Sequence, residues 1–342
     1  NKDIGFSSFI SLGDASDIDF DELLDYLGRD SKTSAIMLYI DSINDKRRFL
    51  SAARAASRNK PIFVIKSGRS HEGARAAMIH TGGVRGNDAV FEAAFRRAGM
   101  LRVNDLIELF AAVESLAHAS ALKGERLAIM SNGGGPAVLA ADELIIKGGK
   151  LAQLSPALLN DLNQYLPNTW SKQNTIDMVG DANAQRYGDT LKRLMDEDNI
   201  DAILILHSPS ILQQSEQIAQ SIIDTYSQHP RKNRLNILTN WSGEDSAYVA
   251  RKKFNQASIP TYRTPEGAVR AFMHMVEYRR NQKLLQEVPQ SIPDNIPTDS
   301  ATARQLLQAY QNENQLVLGT YQVSNILKAY GLNTINTWFV TD

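Results

Sequence analysis

The feature that most constrains this chain is one alternation of helical and strand-like runs, used twice in the same order. The segments Leu24–Ser42 (LDYLGRDSKTSAIMLYIDS) and Leu191–Ser208 (LKRLMDEDNIDAILILHS) share it. Each passes from a helical stretch through an acidic turn into an apolar strand that closes on polar residues. Phe254–Glu277 echoes Phe95–Glu114 in turn, running from a helix end through a short β-like stretch into a long helix that ends in Val-Glu. Strands that are apolar at nearly every position are buried on both faces, and alternation with helices makes them parallel. Two copies of one βαβ unit are the economical explanation. The chain is therefore expected to be α/β, with two parallel-sheet domains in tandem at residues 1–122 and 123–280.

Within the first copy, Gly5–Ser11 reads as a buried strand ending at Gly13. A helix follows with Phe20, Leu23, Leu24 and Leu27 on one face and Asp17 or Asp19 as its cap. Strands Ala35–Ile40 and Pro61–Lys66 come next, with a helix near Asp45–Ser57 between them. After a glycine-rich stretch around His80, helices run over Ala89–Ala98 and about Asp105–His118. Ser120–Glu125 reads as the link to the second copy, which opens with strand Arg126–Ser131 and an alanine-rich helix reaching Lys147. Leu151–Asp181 is an inserted segment. Pro289, Pro293 and Pro297 mark residues 281–298 as a linker, and 299–342 carry two helical patterns, near Ala301–Tyr310 and Tyr321–Tyr330. The start at Asn1 and the stop after Trp338-Phe339-Val340 read as cuts in a longer protein.

Composition removes several classes. The net charge is −1 and no block of basic residues occurs, which argues against nucleic acid or an acidic membrane as partner. The chain has no cysteine, so disulfides, thiolate nucleophiles and zinc ribbons are excluded, in keeping with a cytoplasmic location. No run approaches the ~20 apolar residues of a membrane span. Walker, GxGxxG, HExxH and GxSxG patterns are all missing from the sequence.

The chemistry-bearing stretch is Ile79-His80-Thr81-Gly82-Gly83, with Gly86 three positions on, directly before a helix. Imidazole is readily poised as a nucleophile near neutral pH, glycines admit a bulky anion close to the backbone, and a helix start suits phosphate. Two further loops precede helices: Ser11-Leu12-Gly13-Asp14, and Asn132-Gly133-Gly134-Gly135 with Pro136 at the first turn. Lys66 and Arg69 add positive charge at a strand end. Taken singly, each glycine turn fits a plain fold equally well. His118, His207, His229 and His274 read as structural.

Taken in order, SLGDASDIDFDELLDYL, HTGGVRGNDAVFEAAFRRAGMLRV and MSNGGGPAVLAADEL resemble segments of the NDP-forming acyl-CoA synthetases, relatives of succinyl-CoA synthetase. The resemblance covers roughly residues 4–280. It implies two flavodoxin-like, succinyl-CoA synthetase-type domains, then a linker and the start of an ATP-grasp domain after Thr298. It further implies that His80 is phosphorylated, that Asp41 orients its ring, and that Gly82, Gly83 and Gly86 hinge its loop. Ser11, Gly13, Asp14, Asn132, Gly133, Gly134 and Gly135 would hold phosphate.

The implied reaction is acyl-CoA + ADP + phosphate = carboxylic acid + ATP + CoA. Its cofactors are CoA or acyl-CoA and ATP/ADP with Mg²⁺, bound largely outside this stretch, which alone would be inactive. No protein-bound metal is implied. The later segment PTYRTPEGAVRAFMHMVEYRRNQK resembles the synthetase-like half of Pat-type bacterial protein lysine acetyltransferases. That implies the alternative of an acyl-CoA-sensing regulatory half, with a GNAT acetyltransferase domain on the same chain. Self-association is left open. Two positions depart from the family pattern: Asp41 stands where a longer Glu is usual, and Asn174-Thr175-Ile176-Asp177 lacks the family's proline.

Overall fold

Three apolar runs of the first copy pair as β1 (Ile36–Ile40), β2 (Ile62–Lys66) and β3 (Leu101–Val103), all parallel, in the order β1-β2-β3. The computed structural model describes residues 5–13, 15–75, 87–211, 213–287, 298–313, 315, 317–338 and 340. Helices α1 (Phe20–Arg29), α2 (Lys46–Ser57), α3 (Asp88–Arg97) and α4 (Leu106–His118) surround this sheet. Every residue of β2 is buried, because successive side chains serve opposite cores. Ile62 and Val64 meet Leu24 of α1, Phe49 and Ala53 of α2, and Phe95 of α3. Phe63 and Ile65 meet Leu109 and Ala112 of α4. Full burial of such side chains contributes about 1.5–3 kcal/mol each, so β2 is the structural centre of this half.

Residues 5–11 correct the expectation of a buried strand. They form no ladder, and Phe6 and Phe9 are 53% and 90% exposed. A strand persists when it gains ladder bonds and buries one face. Among the described strands β1 pairs only with β2, so this segment gains neither.

The second copy builds a larger sheet from β4 (Arg126–Ser131), β5 (Lys150–Leu151), β6 (Ile176–Asp177), β7 (Ala202–His207), β8 (Asn236–Trp241) and β9 (Thr261–Tyr262). The strands are parallel in the order β5-β4-β7-β8-β9, with β6 pairing the far end of β4. Asn174 bridges the gap between β5 and β6. Its Oδ1 accepts the Ile129 N–H at 3.0 Å, and its Nδ2 donates to the Leu127 and Ala152 carbonyls, both at 2.9 Å. One face of the sheet is covered by α5 (Gly134–Ile146) and α10 (Pro265–Gln286). The other is covered by α6 (Pro156–Tyr165), α7 (Ala184–Asp196), α8 (Ser215–Gln228) and α9 (Asp245–Gln256).

The linker expected from residue 281 begins later, because α10 continues to Gln286 and its last turns are held by the first sheet's layer. Asn281 Nδ2 donates to the Met100 carbonyl at 2.7 Å, Gln282 Nε2 to that of Gly99 at 2.9 Å, and Leu285 is 1% exposed. Earlier on the same helix, Phe272, Met275 and Val276 pack on the second sheet. One helix therefore ties the two sheets into a single unit spanning residues 1–287.

Residues 288–342 form a separate unit. It holds α11 (Ser300–Asn312), capped by Asp299, and α12 (Thr320–Ala329), with the Asp299 N–H bonded to the Ala329 carbonyl at 2.7 Å. No helix among the described residues is long and apolar enough to cross a membrane.

Candidate phosphate site

Ligands of open parallel sheets collect beyond the carboxyl ends of the strands, and the second sheet has a built loop there. β4 ends at Ser131, whose Oγ accepts the Gly133 N–H at 3.0 Å and donates to the Gly133 carbonyl at 2.8 Å. Asn132 then reaches across to the end of β7. Its Oδ1 accepts the Ser208 N–H at 2.8 Å and its Nδ2 donates to the Ser208 carbonyl at 2.9 Å. Such a two-way amide lock fixes the loop where it enters α5.

The helix start itself is open. Gly133 is its N-cap and supplies no side chain, and the first turn carries no acid. The amides there keep the partial positive charge of a helix N-terminus. Two neighbours restrict the approach. A Cβ on Gly133 would come within 3.0 Å of Ser208 Oγ, and one on Gly134 within 3.3 Å of Asp177 Oδ2. At Gly135 nothing lies within 4 Å. A carboxylate thus flanks one side of the helix start, and an anion has room on the Gly135 side.

The other two helix starts proposed from sequence carry side-chain caps. α1 begins at Phe20, seven residues past Gly13, and is closed by a capping box. The Phe20 N–H donates to Asp19 Oδ1 at 2.7 Å, and the Asp19 N–H to Glu22 Oε2 at 3.0 Å. α3, the helix after the histidine stretch, is capped by Asn87 Oδ1, which accepts the Ala89 N–H at 2.9 Å. Its first turn also carries Asp88. Capping side chains thus already engage some of the amides at these starts, the Phe20 and N3 amides of α1 and the Ala89 amide of α3.

At the carboxyl edge of the first sheet, Asp41 follows β1 half-buried and Lys66 closes β2 at 8% exposure. Burial pushes the Lys66 pKa down, while the charges of Asp88 and Asp41 hold it up. The net shift is downward. Lys66 Nζ bonds to the Ser67 carbonyl and lies 4.8 Å from the Phe91 ring centroid. Arg69 donates to Asn104 Oδ1 at 2.6 Å, and Arg102 pairs with Asp88 at 2.7 Å and Glu92 at 3.1 Å. This edge is polar, with a basic share that is largely engaged.

Ser11 and Gly13 lie in an exposed loop where the Ala15 N–H closes a turn on the Leu12 carbonyl at 3.1 Å. Asp14, His80, Gly82, Gly83 and Gly86 lie outside the described residues. Asn132, Gly133, Gly134 and Gly135 come together as one loop. Asp41 shares its edge with Lys66, and among the described residues no hydrogen bond or ion pair links it to that loop.

One supporting residue, Ser208, went unassigned in the sequence. Ser208 directly follows the run AILILH, the position Asn132 holds after RLAIMS, and that parallel was the available signal. Its neighbour His207 is 1% exposed, with Nε2 2.9 Å from Ser215 Oγ. Burial lowers its pKa to about 4, so the ring is neutral at pH 7 and serves as an internal tie, as its structural reading implied. No group of three or more His, Cys, Asp or Glu among the described residues could hold a metal ion.

Comparison with known proteins bears on this geometry. Residues 1–116 match the succinyl-CoA ligase like flavodoxin domain. The ADP-forming acetate–CoA ligase II subunit alpha of Pyrococcus furiosus is 35% identical over 283 residues, covering 82% of this chain and 61% of its own length. Over most of its length the chain is similar to ADP-forming CoA ligases. ADP-forming acetate–CoA ligase I of Archaeoglobus fulgidus is 28% identical over 96% of this chain and 46% of its own length. A solved synthetase, the dinucleotide forming acetyl-coenzyme A synthetase 1 of Ca. Korarchaeum cryptofilum in complex with phosphate and ADP, superposes with a TM-score of 0.75. It is 29% identical over 82% of this chain and 61% of its own. The chain thus spans about half to three-fifths of the length of these synthetases.

Proposed function

We propose that this chain is the central part of an NDP-forming acyl-CoA synthetase that works through a phosphohistidine at His80. The observation that carries the reading is the uncapped start of α5, locked by Asn132 and Ser208, in a relative of ADP-forming CoA ligases. Domains largely outside this stretch would supply CoA and nucleotide binding, the ATP-grasp domain beginning after residue 298 and continuing beyond it.

The steps balance as follows. Phosphate oxygen attacks the thioester carbonyl of acyl-CoA, the C–S bond breaks, and CoA leaves as an acyl phosphate forms. A neutral imidazole nitrogen of His80 attacks phosphorus, and the acyl carboxylate departs with the electron pair of the broken P–O bond. The phosphoryl group then passes to the terminal phosphate oxygen of ADP, giving ATP and restoring His80. Amides at the start of α5 would stabilise the equatorial phosphoryl oxygens, an exposed helix end contributing about 0.3–1 kcal/mol and a dry one more. Asp41 would fix the far ring nitrogen and offset the charge that develops there. Gly82, Gly83 and Gly86 would let the loop carry the phosphoryl group between sites.

The test is phosphoryl transfer in the full-length protein from γ-labelled ATP with Mg²⁺. Acid-labile, base-stable label that disappears in His80→Ala is expected. Absence of label in a protein that still binds acyl-CoA would overturn the relay. It would favour the regulatory reading instead, with the GNAT acetyltransferase domain then sought on the same chain.

A further inference from the structure

The second sheet carries another cleft at the edge opposite the α5 loop, where the first residues of its strands emerge. Arg126 opens β4, Lys150 opens β5, and Asp201 and Leu235 stand directly before β7 and β8. The fold's general ligand edge is the other one, so nothing in the α/β architecture calls for a cleft here. Its volume is about 420 Å³, within the range of small-molecule sites.

The charges in this cleft do not cancel. Three carboxylates line it, and each already has a cation. Arg126 holds Asp201 through Nε at 2.7 Å and Nη2 at 3.0 Å, and the Arg126 N–H adds a third bond at 2.9 Å. The chain passes so closely over that carboxylate that a Cβ on Gly124 would fall 2.2 Å from Asp201 Oδ2. The Asp201 side chain is accordingly sealed at 4% exposure. Glu125 is clamped by Arg280 at 2.9 and 2.5 Å and approached by Arg279 at 3.6 Å. Asp198 pairs with Arg231 at 3.2 Å.

Lys123, Lys150 and Arg234 remain on the rim, and none makes an ion pair among the described residues. They come from three separate elements: the connection before β4, the start of β5 and the turn before β8. That turn is braced. The Arg234 N–H bonds to the Arg231 carbonyl at 2.9 Å, and the Tyr226 hydroxyl donates to the Leu235 carbonyl at 3.2 Å. Lys150 adds to the positive field on Glu125, whose carboxylate Arg280 already clamps. Three cations on separate mounts around one cleft, none with an ion pair of its own among the described residues, suit an extended chain of anionic groups better than a single carboxylate.

We propose that this cleft binds a diphosphate or triphosphate group, as a second anion site remote from the α5 loop. Inorganic pyrophosphate and a nucleoside diphosphate present the same chemistry, and both are available as probes. The site stands independently of the phosphohistidine reading, since no residue of it belongs to that machinery.

Calorimetric titration of the 342-residue chain at low ionic strength tests it, in a Gly135→Asp background that silences the α5 loop. Pyrophosphate is expected to bind saturably, and the triple reversal Lys123→Glu, Lys150→Glu, Arg234→Glu to weaken it at least tenfold. The conservative pair Lys123→Arg, Lys150→Arg should bind within about threefold of the parent, which guards against misfolding of the reversal. ADP binding that is lost with the same reversal assigns the occupant as a nucleotide, and pyrophosphate binding alone assigns it as the inorganic chain. Affinity unchanged by the reversal, or no saturable binding of either probe, overturns the proposal.

Discussion

α1 and α5 both follow a glycine-bearing loop, yet their first turns are built in opposite ways. Asp19 and Glu22 close the start of α1 on itself, and Asn87 does the same for α3. Gly133 leaves the start of α5 without any side chain, while Asn132 spends its amide on the neighbouring strand end. A capped helix gains stability and loses its capacity for an outside anion; an uncapped one does the reverse. Glycines near a helix therefore say less about anion binding than the residue at the cap.

The strand ends differ in the same sense. β1 leads into half-buried Asp41 beside Lys66, whereas β7 ends on fully buried His207. The largest effect expected from this contrast is on acid stability. The unfolded His207 ring takes its proton near pH 6.5, and the folded ring only near 4. Its contribution is thus complete above about pH 6.5 and falls away as the pH drops toward 4, by about 3 kcal/mol in all. Urea unfolding across that range should show the slope, and His207→Gln should flatten it. An unchanged slope would mean that the ring is not the buried neutral tie described above.

Phosphate binding probes the helix starts directly. Gly135→Asp puts a carboxylate where nothing lies within 4 Å. It should cut phosphate affinity at least tenfold, about 1.4 kcal/mol, while leaving stability equal or slightly higher because the dipole favours acid there. Asp19→Ala should do the opposite at α1, costing about 1 kcal/mol of stability with phosphate affinity unchanged. If both variants weaken phosphate equally, the distinction between the two starts fails. The smallest effect belongs to Asp177→Asn, which removes the carboxylate beside Gly134. Phosphate should then bind a few-fold more tightly in the same titration.

Much of this architecture was legible in the sequence. The runs IMLYI, IFVIK, RLAIMS and AILILH are strands because each is apolar at nearly every position and bounded by turn residues. Asp19 was readable as a cap. Asn87 was equally readable, since Asn before a helix is a standard cap, but the glycines preceding it drew the reading toward anion binding. The segment at 5–11 has strand composition yet lacks a partner edge, and composition does not report partners. The bridging role of α10 was hidden because its sequence is apolar around much of its circumference, a pattern that marks burial without saying against what.

The sequence by itself determined the alternation of strands and helices, the parallel sheets, and the glycine loop after β4, because these rest on local periodicity and backbone preference. Only the tertiary structure decided which helix start stays open, since that turned on Asn132 being engaged by Ser208, 76 residues away. It also decided which charges around the second sheet are spent and which remain. Pairings such as Arg126 with Asp201 and Glu125 with Arg280 join residues far apart in the chain. Capping and charge compensation are settled by whichever partner the folded chain brings within about 3 Å, and no local pattern carries that distance.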